Sequence, residues 1–96
     1  LISQIEGSAG SIMDNIAEGF ERGGTREFKQ FLFIAKASCG EFRSQLYRAL
    51  DRSYITAAEF DTLSTHAMQI SSLLQKLIDY LNNASLDGTK YKHKKE

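Results

Sequence analysis

Apolar residues recur along this chain in alternating steps of three and four, and two polar or glycine-rich breaks interrupt them. The last run, Phe60, Leu63, Ala67, Ile70, Leu74, Leu77 and Leu81, places one apolar stripe on a helix. Its start is marked by Thr56 and Glu59, the ends of a T-x-x-E capping box in which each side chain satisfies the other's backbone N–H. Ile55 and Phe60 take the two positions of a hydrophobic staple. The middle run is Phe28, Leu32, Ala35, Cys39, Phe42, Leu46 and Ala49. Phe31, Phe33 and Ile34 widen it near its beginning and predict burial on more than one side. Thr25 is the expected N-cap of this helix, and Glu27 sits where the helix's positive end favours an acid. The first run, Ile2, Ile5, Ala9, Ile12, Ile16 and Phe20, ends among Gly19, Gly23 and Gly24, which adopt the left-handed cap conformation cheaply.

The pattern predicts an all-α protein with helices over about 1–20, 25–52 and 56–83. Together they form a helical-bundle domain over 1–83, and the basic residues 84–96, which lack periodicity, are expected to be a flexible tail. The short link at 51–55 forces its helices into antiparallel neighbours. A helix of about 28 residues spans ~42 Å, and three such helices with wide apolar faces leave a groove open. A fourth helix, from a segment upstream of Leu1 or from another subunit, is expected to close it.

Composition narrows the class. Ninety-six residues allow one domain, and the absence of proline suits long unbroken helices. The single Cys39 forms no internal disulfide, which fits a reducing, cytoplasmic setting. No run approaches the roughly 20 apolar residues of a membrane span, and no signal peptide is visible. Net charge is zero but segmented. Residues 1–21 carry four acids and no base, and 22–52 carry seven bases against three acids. Residues 53–89 carry four acids and Lys76, while 90–96 hold four lysines and Glu96.

The same placements frame the candidate chemistry. The turn around Gly23 lacks both the preceding strand and the lysine of a phosphate loop, so it predicts a helix–helix linker. Neither His66 nor His93 has a Glu three residues before it, so no di-metal bundle site and no cofactor is expected. Cys39 lies on the apolar stripe, where it serves as a small hydrophobe. Asn15 and Glu18 share one face of the first helix, and Ser38 and Glu41 share one face of the second. In an antiparallel hairpin these groups meet across the seam. With Ser11 they are expected to form a structural polar network that fixes register, not acid–base machinery. Lys29, Lys36 and Arg43 recur every seven residues as a basic ridge, with Arg22 and Arg26 at its start. A solvated face is the plain reading of that ridge. Repeated around an oligomer, it becomes a positive surface able to neutralise the phosphates of RNA or DNA.

The stretch SIMDNIAEG, then Arg22, then EFKQFLFIAKASCGEF resembles the bacterial four-helix-bundle family of 23S rRNA intervening-sequence proteins. Ser11, Ile12, Asn15, Ile16, Ala17, Glu18 and Gly19 match the family's S-I-x-x-N-I-A-E-G. Arg22, Glu27, Phe28, Phe31, Leu32, Ile34, Ala35, Ser38 and Glu41 match the remainder of its pattern, and the likeness extends over roughly 1–81. The resemblance implies an up-and-down antiparallel four-helix bundle whose first helix would precede the Gln4 region and is missing from this chain. It also implies assembly as a ring, with a pentamer favoured. The family name refers to reading frames inside intervening sequences of rRNA genes and implies no structural role in the ribosome. A related accessory protein of diversity-generating retroelements binds nucleic acid and a reverse transcriptase. The leading expectation is a non-enzymatic, oligomeric binding protein with RNA or DNA as ligand. The alternative is a protein–protein scaffold that never touches nucleic acid.

Overall fold

A computed structural model describes the backbone of residues 1–95 and the side chains of 1–83. Three helices run in chain order: α1 (Ile2–Glu21), α2 (Thr25–Asp51) and α3 (Ala57–Lys95). No strand occurs among the described residues, so the chain is all-α. The helix α3 runs on to Lys95, past the end at 83 expected from the apolar pattern, while the side chains of the expected basic tail over 84–96 lie outside the described residues.

The ends of the helices have local causes. Gly23 takes a φ of +77°, the left-handed conformation that releases the chain from α1. Gly24, not Thr25, is the N-cap of α2: its backbone is extended, and no side chain caps the helix. Thr25 is already the first helical residue, one position too far along for its hydroxyl to cap. At the other end of α2, Tyr54 N–H bonds to Ala49 O and Ser53 N–H bonds to Leu50 O. This is a Schellman motif, and Ser53 supplies its left-handed residue at φ +60°. The capping box that begins α3 is present in both directions. Thr56 N–H donates to Glu59 Oε1 at 2.8 Å, and Glu59 N–H donates to Thr56 Oγ1 at 3.1 Å. Hydrogen bonding to the Glu59 carboxylate, first from the Thr56 backbone N–H and then from the Thr56 side chain, holds it below its ordinary pKa.

α2 packs against both α1 and α3, whereas no α-carbon of α1 comes within 8 Å of one in α3 among the described residues. Across the long axis the molecule measures 20 × 13 Å. Helices pack about 8–10 Å apart. Three of them in mutual contact would form a narrower triangle, so the observed width fits three corners of a square. The chain therefore forms three corners of a four-helix bundle, with α1 and α3 on a diagonal.

Ile12 of α1, Leu32, Ala35 and Cys39 of α2, and Leu74 and Ile78 of α3 form one buried cluster. Leu32 and Ile78 are completely shielded, and full burial of such a side chain contributes about 1.5–3 kcal/mol. The margins of the same stripes stay open. Met13 and Phe20 on α1 and Ile70, Leu73 and Tyr80 on α3 are exposed. Met13 and Phe20, with Ile16, Ala17 and Phe28, line an apolar groove beside the α1–α2 turn. The sequence expectation for Phe33 and Ile34 is corrected here, because both are about half exposed while Phe31 is only partly so. With neighbours on two sides only, α2 turns its remaining surface outward, and Phe33 and Ile34 fall there.

Candidate nucleic-acid interface

The α1–α2 seam carries the polar network. Ser11 Oγ lies 3.0 Å from Ser38 Oγ, and Asn15 Nδ2 donates to both Ser11 O and Ser11 Oγ, at 2.7 and 3.0 Å. The Ser11 hydroxyl accepts from Asn15, and either serine can donate in the Ser11–Ser38 contact. Glu41 is reached by Ser8, whose hydroxyl lies 2.7 Å from Glu41 Oε1 and 2.9 Å from Gln45 Oε1. One proton cannot serve two acceptors. The consistent arrangement has Ser8 donate to the carboxylate, with the Gln45 amide turned so that its nitrogen donates to Ser8. Ser8 and Gln45 are the buried polar residues of the molecule among those described. Glu18 stands apart. It is exposed and pairs with Arg22 at 3.1 Å, and the Arg22 guanidinium lies over the Phe31 ring at 5.4 Å.

Gly19 lets this seam close. A Cβ placed there would lie 2.6 Å from the Cβ of Phe31 and 3.1 Å from Phe28 Cδ1. The helices approach closely beside the turn, and a residue without a side chain is what permits it.

The α2–α3 seam holds the basic ridge. Lys29 Nζ donates to Asn82 Oδ1 at 2.9 Å, and Lys36 Nζ donates to Gln75 Oε1 at 2.6 Å. One step of seven down α2 matches one step of seven up α3. Continued one step further, the same register pairs Arg43 with Met68, which offers no amide acceptor, and Arg43 Nε is buried without a hydrogen-bond partner. The acceptors are neutral amides. They fix the two ammonium groups without cancelling their charge. Gln75 turns its amide nitrogen to Asp79 Oδ1 at 2.9 Å, so one acid touches the ridge indirectly. Arg26 is exposed at the start of α2. The ion pair between Glu18 and Arg22 is the only salt bridge among the described residues. Arg22 is thus neutralised locally, while Arg26, Lys29, Lys36 and Arg43 keep a net positive field.

Sequence reasoning located the cations but not their partners. Ser8 and Gln45 belong to the α1–α2 network, and Gln75, Asn82 and Asp79 to the ridge. The signal was present, since Gln75 and Asn82 stand seven apart like Lys29 and Lys36. Cys39 is fully buried, and burial pushes its thiol above the ordinary pKa. No cluster of three potential metal-ligating acids, histidines or cysteines occurs among the described residues. Among those residues, too, no helix is long and apolar enough to cross a membrane.

A family model described as 23S rRNA-intervening sequence protein matches residues 1–76. No curated protein and no solved structure matches the chain.

Proposed function

Because the chain belongs to the 23S rRNA-intervening sequence protein family, we propose that it is a non-enzymatic, self-associating helical-bundle protein that binds RNA or DNA through the ridge on α2. The observation that carries this reading is the choice of acceptors. Lys29 and Lys36 are held by Asn82 and Gln75, so their positions are fixed while their charge remains available to phosphates. Carboxylates at those two positions would have built ordinary salt bridges and erased the field. Self-association is supported by the exposed large apolar side chains of α1 and α3, surface of the kind that marks an interaction site. A closed ring, a pentamer by the family resemblance, would repeat the ridge around its surface and leave no open end.

The test is fluorescence anisotropy with a labelled RNA strand at several salt concentrations. The four cations Arg26, Lys29, Lys36 and Arg43 predict that log K falls with log salt at a slope of about −3 for a single strand. Asn82→Asp keeps an acceptor oxygen for Lys29 while adding a negative charge, so it should weaken binding and leave the fold intact. Absence of binding by the assembled protein at low salt would refute the nucleic-acid reading. Light scattering that shows a stable monomer at micromolar concentration would refute the assembly.

The second reading, a scaffold for another protein, is favoured by the same exposed apolar side chains. Under it, a partner would survive nuclease treatment and be lost on Leu73→Glu, since Leu73 lies on the exposed margin of α3.

A further inference from the structure

We infer that the nucleic acid taken by this ridge is single-stranded, and that Phe33 and Tyr47 are the side chains on which its bases stack. The inference rests on the proposed ridge function and names the ligand class. On α2 the residues Lys29, Phe33, Lys36, Gly40, Arg43 and Tyr47 succeed one another in steps of four and three. Such steps keep all six on one helix face. Cations therefore alternate with exposed or absent side chains along a single stripe. Phe33 is 52% exposed and Tyr47 is 54% exposed, although the Tyr47 ring packs at 4.8 Å against Phe60. Between them, no atom lies within 4 Å of where a Cβ on Gly40 would stand, so a flat ring can approach the backbone there.

The chemistry of the stripe selects among polyanions. A ridge of cations alone suits any phosphate backbone, duplex or single strand. Aromatic faces interleaved with those cations are useless to a duplex, whose bases are already stacked. They are useful to unpaired bases, and stacking on an aromatic side chain tolerates any base. Tyr47 is held against Phe60 and keeps an open face, which lowers the cost of ordering it on binding. Lys29 and Lys36 are likewise fixed by the amides of α3. The platform is preorganised at both kinds of position.

The experiment compares the intact protein with Phe33→Leu and Tyr47→Leu, which keep apolar bulk and lose the aromatic face. The probes are a labelled RNA strand of about 20 nucleotides, long enough to fill such a site, the same strand annealed into a duplex, and an abasic strand. Wild type should bind the single strand more tightly than the duplex or the abasic strand. Either substitution should weaken single-strand binding by about tenfold, the size of one lost stacking contact. The salt slope should not change, because no phosphate contact is lost. Binding to the abasic strand should stay at the wild-type level. If wild type binds but shows no strand preference and neither substitution matters, the stacking inference is overturned while the ridge reading stands. If wild type binds none of the probes, both fall. If lost binding accompanies a lower sedimentation coefficient, Phe33 or Tyr47 is a subunit contact and the inference is overturned as well.

Discussion

Replacing Gly19 by alanine should destabilise this protein, although the same change elsewhere in α1 should stabilise it. In an exposed helix interior, glycine is about 1 kcal/mol less favourable than alanine. Gly10 is in that situation, since a Cβ there would meet nothing within 4 Å. Gly10→Ala should therefore raise stability by about 0.5–1 kcal/mol. At Gly19 the new Cβ would stand 2.6 Å from the Cβ of Phe31, against the roughly 3.5–4.0 Å that two carbons need. Phe31 cannot relieve the clash by changing rotamer, because its Cβ is fixed to the backbone. The two helices must separate by about 1 Å beside their turn. Overpacking of this kind costs about 1–3 kcal/mol, and the propensity gain offsets part of it. A net loss of about 1 kcal/mol is expected, opposite in sign to the effect at Gly10. The assay is urea unfolding monitored by circular dichroism at one fixed protein concentration, since assembly makes stability concentration-dependent. Equal or greater stability for Gly19→Ala, with an unchanged m value, would refute the close-approach account.

Other consequences are equally direct. Ser53→Gly should stabilise the α2–α3 turn by roughly 0.5–1 kcal/mol, because the left-handed conformation at φ +60° penalises a side chain; thermal unfolding measures it. Met68→Gln should complete a third rung with Arg43 and add about 0.5–1.5 kcal/mol, whereas no gain would mean that the seven-residue register does not extend so far. Glu59 has a lowered folded pKa, so its contribution is present above the unfolded value of about 4.3 and is lost as pH falls through the folded one. The stability gap between wild type and Glu59→Gln should accordingly close on acidification, and a gap constant with pH would contradict the capping geometry. Cys39 should react with a thiol reagent only as fast as the protein opens, since the thiol is both buried and raised in pKa.

The helices were legible in the sequence because their apolar steps of three and four depend only on which residues face inward. The cap at Gly23 was legible for a similar reason, as glycine announces a left-handed residue. Ser53 occupies the equivalent place without that sign, so the Schellman turn after α2 left no trace in the residue types. Thr25 has a side chain suited to an N-cap, yet Gly24 takes the position with backbone alone. In the network, Ser11 and Ser38 could be paired from hairpin geometry. Ser8 and Gln45 could not, because polar residues at the rim of a stripe look solvated until the neighbouring helix covers them. Phe33 misled in the opposite direction. A large aromatic beside an apolar stripe suggests burial, and only the number of packed neighbours reveals that it faces water.

The two seams of α2 show why polar residues were not replaced by apolar ones. Across the α1 seam, Ser8, Ser11, Ser38, Glu41 and Gln45 interlock through directional bonds that a one-residue slip would break together. Leucines there would bury more area but would accept several registers, and Gly19 could then miss Phe31. The α3 seam solves a different problem. Its partners must hold long, flexible lysine stems in place without neutralising them, and an amide oxygen does this where a carboxylate would not. Asp79 marks the limit of that arrangement, because it reaches Lys36 only through Gln75. Replacing Asp79 by asparagine would keep an acceptor for the Gln75 amide and remove the negative charge that reaches the ridge among the described residues. If the ridge is built to present charge, nucleic-acid affinity should rise, and more so at low salt than at high salt. An unchanged affinity would mean that the amides serve packing alone, and the ridge would lose its claim to a ligand.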